Sequence, residues 1–139
     1  MSALRAALRA AASSLEALPE AAGWRRRYTF DAQHAVFAGH FPEHPVLPAV
    51  TQILMAQMTL EEALGGPLEL AAVPQAKFTA PLGPDAVVEL RVQPGRRAGL
   101  WDCTLGDCTP GDCTLGCAGR IASRFQIAFG ASASKAERP

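Results

Sequence analysis

Apolar residues crowd one stretch of the chain, 49–64, and elsewhere fall into short alternating runs. In that stretch Val50, Ile53, Leu54, Met55, Ala56, Met58 and Leu60 go nearly all the way round a helix. Such a pattern predicts a helix buried for most of its length. Gly65, Gly66 and Pro67 end it. Near the N-terminus Leu4, Leu8, Leu15 and Leu18 share one helical face, with Arg5, Arg9 and Glu16 elsewhere, Ser2 as a cap and Pro19 beyond the end. An N-terminal helical segment over 1–20, packed on the domain edge, is expected. Strand-like runs cover 24–30, 35–37, 68–73, 75–80, 86–92, 100–105 and 119–129. Arg25 and Arg27 lie on one face of the first run, with Arg26 and Tyr28 on the other. The last run alternates around Ile121, Phe125, Ile127 and Phe129. Pro-Leu-Gly-Pro at 81–84 and Pro94-Gly95 supply turns. One long buried helix followed by antiparallel strands is an α+β layout, with a sheet curled round the helix. The expectation is one domain, 1–139, with a fraying tail over 130–139.

Composition narrows the picture slightly. The chain has 139 residues, 49% of them hydrophobic, and a net charge of zero. A core of useful size is possible. A neutral chain has no general attraction for nucleic acid. No apolar run is long enough to span a bilayer. Arg5 and Arg9 spread through alanines do not make a secretory leader, so a cytoplasmic protein is expected.

The chemistry concentrates in Val36-Phe-Ala-Gly-His-Phe-Pro-Glu-His-Pro-Val-Leu-Pro-Ala-Val50, which runs straight into the apolar helix. Pro42, Pro45 and Pro48 fix φ and bias the residues before them toward extended backbone. A stiff loop holds the His40 imidazole at low entropic cost. The first N–H groups of the following helix have no intrahelical partner and face the same space. A general base beside backbone donors is the equipment for removing a proton next to a carbonyl.

Through Gly39-His40-Phe41-Pro42, then Pro45-Val46-Leu47-Pro48, then the helix, the chain resembles the 3-hydroxyacyl-(acyl-carrier-protein) dehydratases of bacterial fatty acid synthesis, the FabA/FabZ family. Weaker similarity extends over 28–129. The resemblance implies a hotdog fold, a dimer and His40 as the catalytic base. It implies that the N–H of the residue after Pro48 meets the thioester carbonyl. It also implies a helix carboxylate fourteen residues after the histidine, completing the site of the other subunit. Two positions depart. Leu54 stands where that carboxylate belongs, and Ala49 stands where the family has glycine. Ala49 keeps the N–H and adds a methyl group. Leu54 leaves the departing hydroxyl without an evident proton donor. Gln52 and Gln57 do not titrate, and Glu61 is two turns on, about 10 Å along the axis. Phe41, Pro48, Leu54, Met55, Met58 and Phe78 read either as core or as the wall of an acyl slot.

The resemblance therefore implies a dehydratase or hydratase of 3-hydroxyacyl thioesters, carried on acyl-carrier protein or coenzyme A, with no cofactor and no metal. The missing acid implies impairment of the chain by itself. It leaves two alternatives: a subunit completed by a second hotdog chain, or a non-catalytic acyl-thioester binding module. A thioesterase fits less well, since hotdog thioesterases also rely on a carboxylate near the helix.

Other groups add less. His34 and His44 have no neighbouring ligand pattern beyond Asp31 and Glu43. Cys103, Cys108 and Cys113 sit in a tandem pentapeptide, Asp-Cys-Thr-Leu/Pro-Gly, and Cys117 follows it. Their gaps of four, four and three lack the paired knuckles of structural zinc, and favour a duplicated turn segment. Arg25, Arg26, Arg27, Lys77, Arg96, Arg97, Arg120 and Arg124 are either solvated strand faces or a dock for an acidic carrier or its phosphate.

Overall fold

The computed structural model describes residues 2–18, 22–37, 46–85, 87–108 and 120–130. Its long helix, α2 (Ala49–Leu64), has the predicted bounds. Around it runs a sheet of β1 (Glu16–Ala17), β2 (Trp24–Thr29), β3 (Leu70–Ala72), β4 (Ala76–Phe78), β5 (Val87–Pro94), β6 (Leu100–Cys108) and β7 (Arg120–Phe129). The order is β1-β2-β5-β6-β7-β3, with β4 also on β7, and each pairing is antiparallel. This is the hotdog layout that the resemblance implies.

Alternation along the strands decides the two faces of the sheet. Tyr28, Val88, Leu90, Val92, Cys103, Leu105, Phe125 and Ile127 are buried and form one core with Leu54, Met55, Ala56, Met58 and Leu60 of α2. Burying one such side chain stabilises the fold by roughly 1.5–3 kcal/mol. The core has few polar atoms, and they are matched. The Tyr28 hydroxyl lies 3.4 Å from Thr59 Oγ1, and Thr59 Oγ1 donates to the Met55 carbonyl at 2.9 Å. Burial pushes the Tyr28 phenol up, so it stays neutral. The opposite, outer face is polar. There Glu89, 4% exposed, takes Arg27 at 3.1 Å and Arg91 at 2.6 Å.

Three elements differ from the sequence expectation, each through a contact distant in sequence. The first helix, α1 (Ser2–Ala11), is shorter than 1–20. It stops because Ser13 joins β2. The Ser13 N–H donates to the Arg27 carbonyl at 2.7 Å, and its hydroxyl accepts the Arg27 N–H at 3.0 Å. Leu15 and Leu18 therefore lie beyond the helix, beside the edge strand β1. Ala35–Phe37 is a 3-10 turn, not a strand. His34 organises it: Nδ1 accepts the Val36 N–H at 3.1 Å and Nε2 faces the Ala7 carbonyl at 3.2 Å. In β7, Leu105 pairs with Ser123 and Gly106 with Ile121, so Ala122 is an extra residue. This bulge turns both Ala122 and Ser123 inward and leaves Ile121 45% exposed, out of phase with Phe125 and Ile127.

Candidate active site

The predicted site residues separate into three groups. His40 and Phe41 lie outside the described residues, as do His44, Cys113, Cys117, the side chains of Cys108 and Arg120, and the tail 131–139. Leu54, Met55 and Met58 are in the core, Met55 with no exposed surface and the other two with 8%. Pro48 is half-buried, and Ala49 and Phe78 are exposed.

Pro48 is the N-cap of α2, at φ −66° and ψ 149°, and among the described residues no side chain caps the helix start. The amides of Ala49, Val50 and Thr51 therefore have no acceptor from within the helix, and they carry the positive end of its dipole. Ala49 is exposed and Val50 is 73% exposed. The only described residue other than glycine with positive φ is Asp85. Ala49 thus takes its backbone conformation without the strain that would demand glycine. Its methyl narrows the approach to the N–H without removing the donor.

Pairing sets Phe78 opposite Ser123, and its ring stacks on Phe125 with centroids 6.0 Å apart. Phe78 is nevertheless 39% exposed. Each residue of β3 and β4 is exposed, and both strands pair with β7 alone. They form an exposed sheet edge among the described residues, and its Phe78 end stands opposite Ser123.

Sequence reasoning passed over Gln52 because an amide does not titrate. It is 4% exposed. Its Nε2 donates to the Leu47 carbonyl at 3.1 Å, and its Oε1 accepts the Ser123 hydroxyl at 2.7 Å. An amide side chain among the mostly apolar residues 50–56 was the available signal.

No carboxylate of α2 reaches this end of the helix. Glu61 is occupied at the other end, by Arg5 at 2.8 Å and by the Leu68 N–H at 3.1 Å. Glu62 pairs with Arg26 at 2.9 Å, and that hydrogen bond lowers its carboxyl below the usual range.

The scattered cations also sort. Arg25, Arg26 and Arg27 are paired with Glu16, Glu62 and Glu89. Lys77 and Arg124 stand directly opposite each other across β4 and β7 on the outer face, with no carboxylate partner among the described residues. They help line a groove of about 1270 Å³ with Glu89, Arg91, Thr104 and Gln126. That groove lies across the sheet from α2, and none of Pro48, Ala49, Leu54, Met55, Met58 and Phe78 lines it. Cys103 faces inward, and burial, then the nearby Asp102 charge, pushes its thiol up, so it stays protonated. Among the described residues no cluster of His, Cys, Asp and Glu could hold a metal. No described helix is long and apolar enough to cross a membrane.

Comparison with known proteins follows the same lines. Over 75 residues the chain is 37% identical to the 3-hydroxyacyl-[acyl-carrier-protein] dehydratase FabZ of Gluconobacter oxydans (strain 621H), a match covering 47% of this chain and 44% of that relative. Its structure is similar to one from the dehydratase heterocomplex ApeI:P of Xenorhabdus doucetiae, with a TM-score of 0.68, 21% identity, and coverage of 85% of this chain and 95% of that one. It is also similar to the dehydratase domain of the polyketide PpsC of Mycobacterium tuberculosis, with a TM-score of 0.62, 12% identity, and coverage of 89% and 44%. At these identities the structural likeness is one of fold. Residues 18–112 match the family described as ApeI-like, ApeI dehydratase. That match spans most of the chain, which therefore belongs to the ApeI-like dehydratase family.

Proposed function

We propose that this chain is a dehydratase, or in reverse a hydratase, of 3-hydroxyacyl thioesters, and that a second hotdog subunit completes its site. The observation that carries this reading is a pairing of presence and absence. The family, the sequence of the His40 loop and an α2 start that no described side chain caps support a base and an oxyanion site, while Leu54 and the engaged Glu61 and Glu62 supply no acid.

The thioester carbonyl sits against the Ala49 N–H, where the helix dipole stabilises the charge that develops on oxygen. His40, as a neutral imidazole, takes the proton from the α-carbon. The electron pair freed there forms the new double bond, and the β-carbon–oxygen bond breaks. The hydroxyl leaves as water, with its second proton supplied by an acid of the partner subunit. The open edge Ala76–Phe78 is the surface through which such a partner extends the sheet. A related fold occurs in a heterocomplex, which supports a paired assembly here too. The carrier is an acyl-carrier protein or coenzyme A, and Lys77 with Arg124 offers it two adjacent cations.

Leu54 favours a second reading, a thioester-binding module without catalysis. Leu54→Glu separates the two. A gain of crotonyl-thioester hydration by the chain alone supports a pocket complete but for its acid. A variant that binds the thioester and stays inactive, with or without a co-purified hotdog partner, supports the binding module. Pull-down of the native protein that recovers only this chain counts against the paired assembly.

A further inference from the structure

Gln52 holds two consecutive carbonyls of the chain entering α2. Its side-chain Nε2 donates to the Leu47 carbonyl at 3.1 Å, and its backbone N–H donates to the Pro48 carbonyl at 3.0 Å. Each peptide unit is planar, so fixing a carbonyl also fixes the N–H across the same bond. Holding the Pro48 carbonyl aims the Ala49 N–H away from the helix body. Holding the Leu47 carbonyl fixes the preceding plane, whose nitrogen belongs to proline and has no hydrogen to give. The Leu47 N–H is itself tied to the Leu82 carbonyl at 2.7 Å, so the segment is gripped from both sides.

The grip has an external anchor. Ser123 donates its hydroxyl to Gln52 Oε1 at 2.7 Å, and both residues are buried, 1% and 4% exposed. Ser123 faces inward next to the bulge at Ala122, whose own carbonyl accepts the Thr79 and Ala80 N–H groups at 2.8 and 3.1 Å. The bulge thus ties β4, β7 and the start of α2 into one unit.

We infer that Gln52 is a positioning residue whose side chain, by holding the Leu47 carbonyl, sets the path of the chain into Ala49 and so the aim of its amide, with Ser123 as anchor; the backbone bond to Pro48 is one that any residue at 52 would make. Its catalytic consequence depends on the dehydratase reading above, while its structural consequence does not. A side chain that only filled the core would be replaced well by one of similar size and no polarity. Gln52→Met is that replacement, and Gln52→Glu is the conservative partner. When protonated, Glu donates to the Leu47 carbonyl and accepts from Ser123 as Gln does, and when ionised it cannot donate.

The test reads two quantities in the full chain, together with whichever partner it co-purifies with. Amide exchange at Leu47 is expected to speed up about tenfold or more in Gln52→Met, with exchange in the central strands β5 and β6 unchanged. The kcat for crotonyl-thioester hydration is expected to fall about 10- to 100-fold with KM nearly constant. Gln52→Glu is expected to restore slow Leu47 exchange, relative to wild type at the same pH, when its carboxyl is protonated and to lose it as the carboxyl ionises. If Gln52→Met fails to fold, Ser123→Ala gives the same readouts with smaller changes. Leu47 exchange and kcat both at wild-type values would overturn the inference. So would exchange rising equally throughout the sheet, which marks a purely structural role. A wild-type assembly with no hydratase activity sinks the dehydratase reading instead, and Leu47 exchange still decides the grip.

Discussion

At its C-terminal end α2 is closed on several sides, and at its N-terminal end no described side chain caps it. Gly65, at φ 87°, adopts the left-handed cap and returns its N–H to the Glu61 carbonyl. The Glu61 side chain takes Arg5 from α1 and the Leu68 N–H, and Gln57 donates to the Leu68 carbonyl at 3.0 Å. Glu62 and Arg26 add an ion pair to β2. The other end has an N-cap proline with no side chain to offer, three amides without intrahelical acceptors and an exposed Val50. A helix end that served only stability would be capped, a gain of about 1 kcal/mol. The contrast supports the proposal that one end serves stability and the other chemistry. Gln52 marks the boundary, since it spends its hydrogen bonds on holding the open end in place.

The contrast breaks most sharply at Ala49. This residue is the first of the helix, where proline is well tolerated, and Pro48 already has the extended backbone that must precede a proline. Ala49→Pro therefore deletes one donor and keeps the fold. Hydration of a crotonyl thioester is expected to fall about 10²–10³-fold in kcat, the usual effect of losing an oxyanion donor, with thermal unfolding nearly unchanged.

The opposite outcome is expected at the closed end. Glu61→Ala strands Arg5 and the Leu68 N–H, and should cost about 1–3 kcal/mol in denaturant unfolding. Its kcat should stay near the wild-type value. A large loss of kcat in a stable Glu61→Ala protein would erase the distinction between the two ends.

The smallest effect is expected at Glu62. Arg26 lowers its folded-state pKa, so its contribution is fully present above the ordinary carboxylate pKa and disappears as pH falls through the lowered value. Its side chain is 52% exposed, which limits that contribution to a few tenths of a kcal/mol. Unfolding of wild type and Glu62→Gln at neutral and strongly acid pH is expected to differ only at neutral pH. For Arg26, burial alone would lower the guanidinium pKa, but Glu62 and Tyr28 outweigh it and raise it, so the arginine stays charged throughout.

The sequence carried the local features well. Apolar density located α2 at both of its ends, because a buried helix closed by Gly65 needs no distant information. Alternation located the central strands for the same reason. The failures are all long-range. The pairing of Ser13 with Arg27 ends α1, and nothing in Leu4, Leu8, Leu15 and Leu18 announces it. The bulge at Ala122 reverses the phase of Ile121, which reads as core by simple alternation. At the site, Ala49 and Leu54 were legible as departures from a motif. The Gln52–Ser123 contact was not, since it joins residues 71 positions apart.

The central claim is that His40 is the base of a site opened at the start of α2. It is tested most directly by the rate of crotonyl-thioester hydration in the complete assembly, with wild-type chain and with His40→Ala. Measurable turnover is expected for the first and a loss of about 10²–10⁴-fold for the second, with the same unfolding temperature. Turnover at the wild-type rate by the His40→Ala assembly would contradict it.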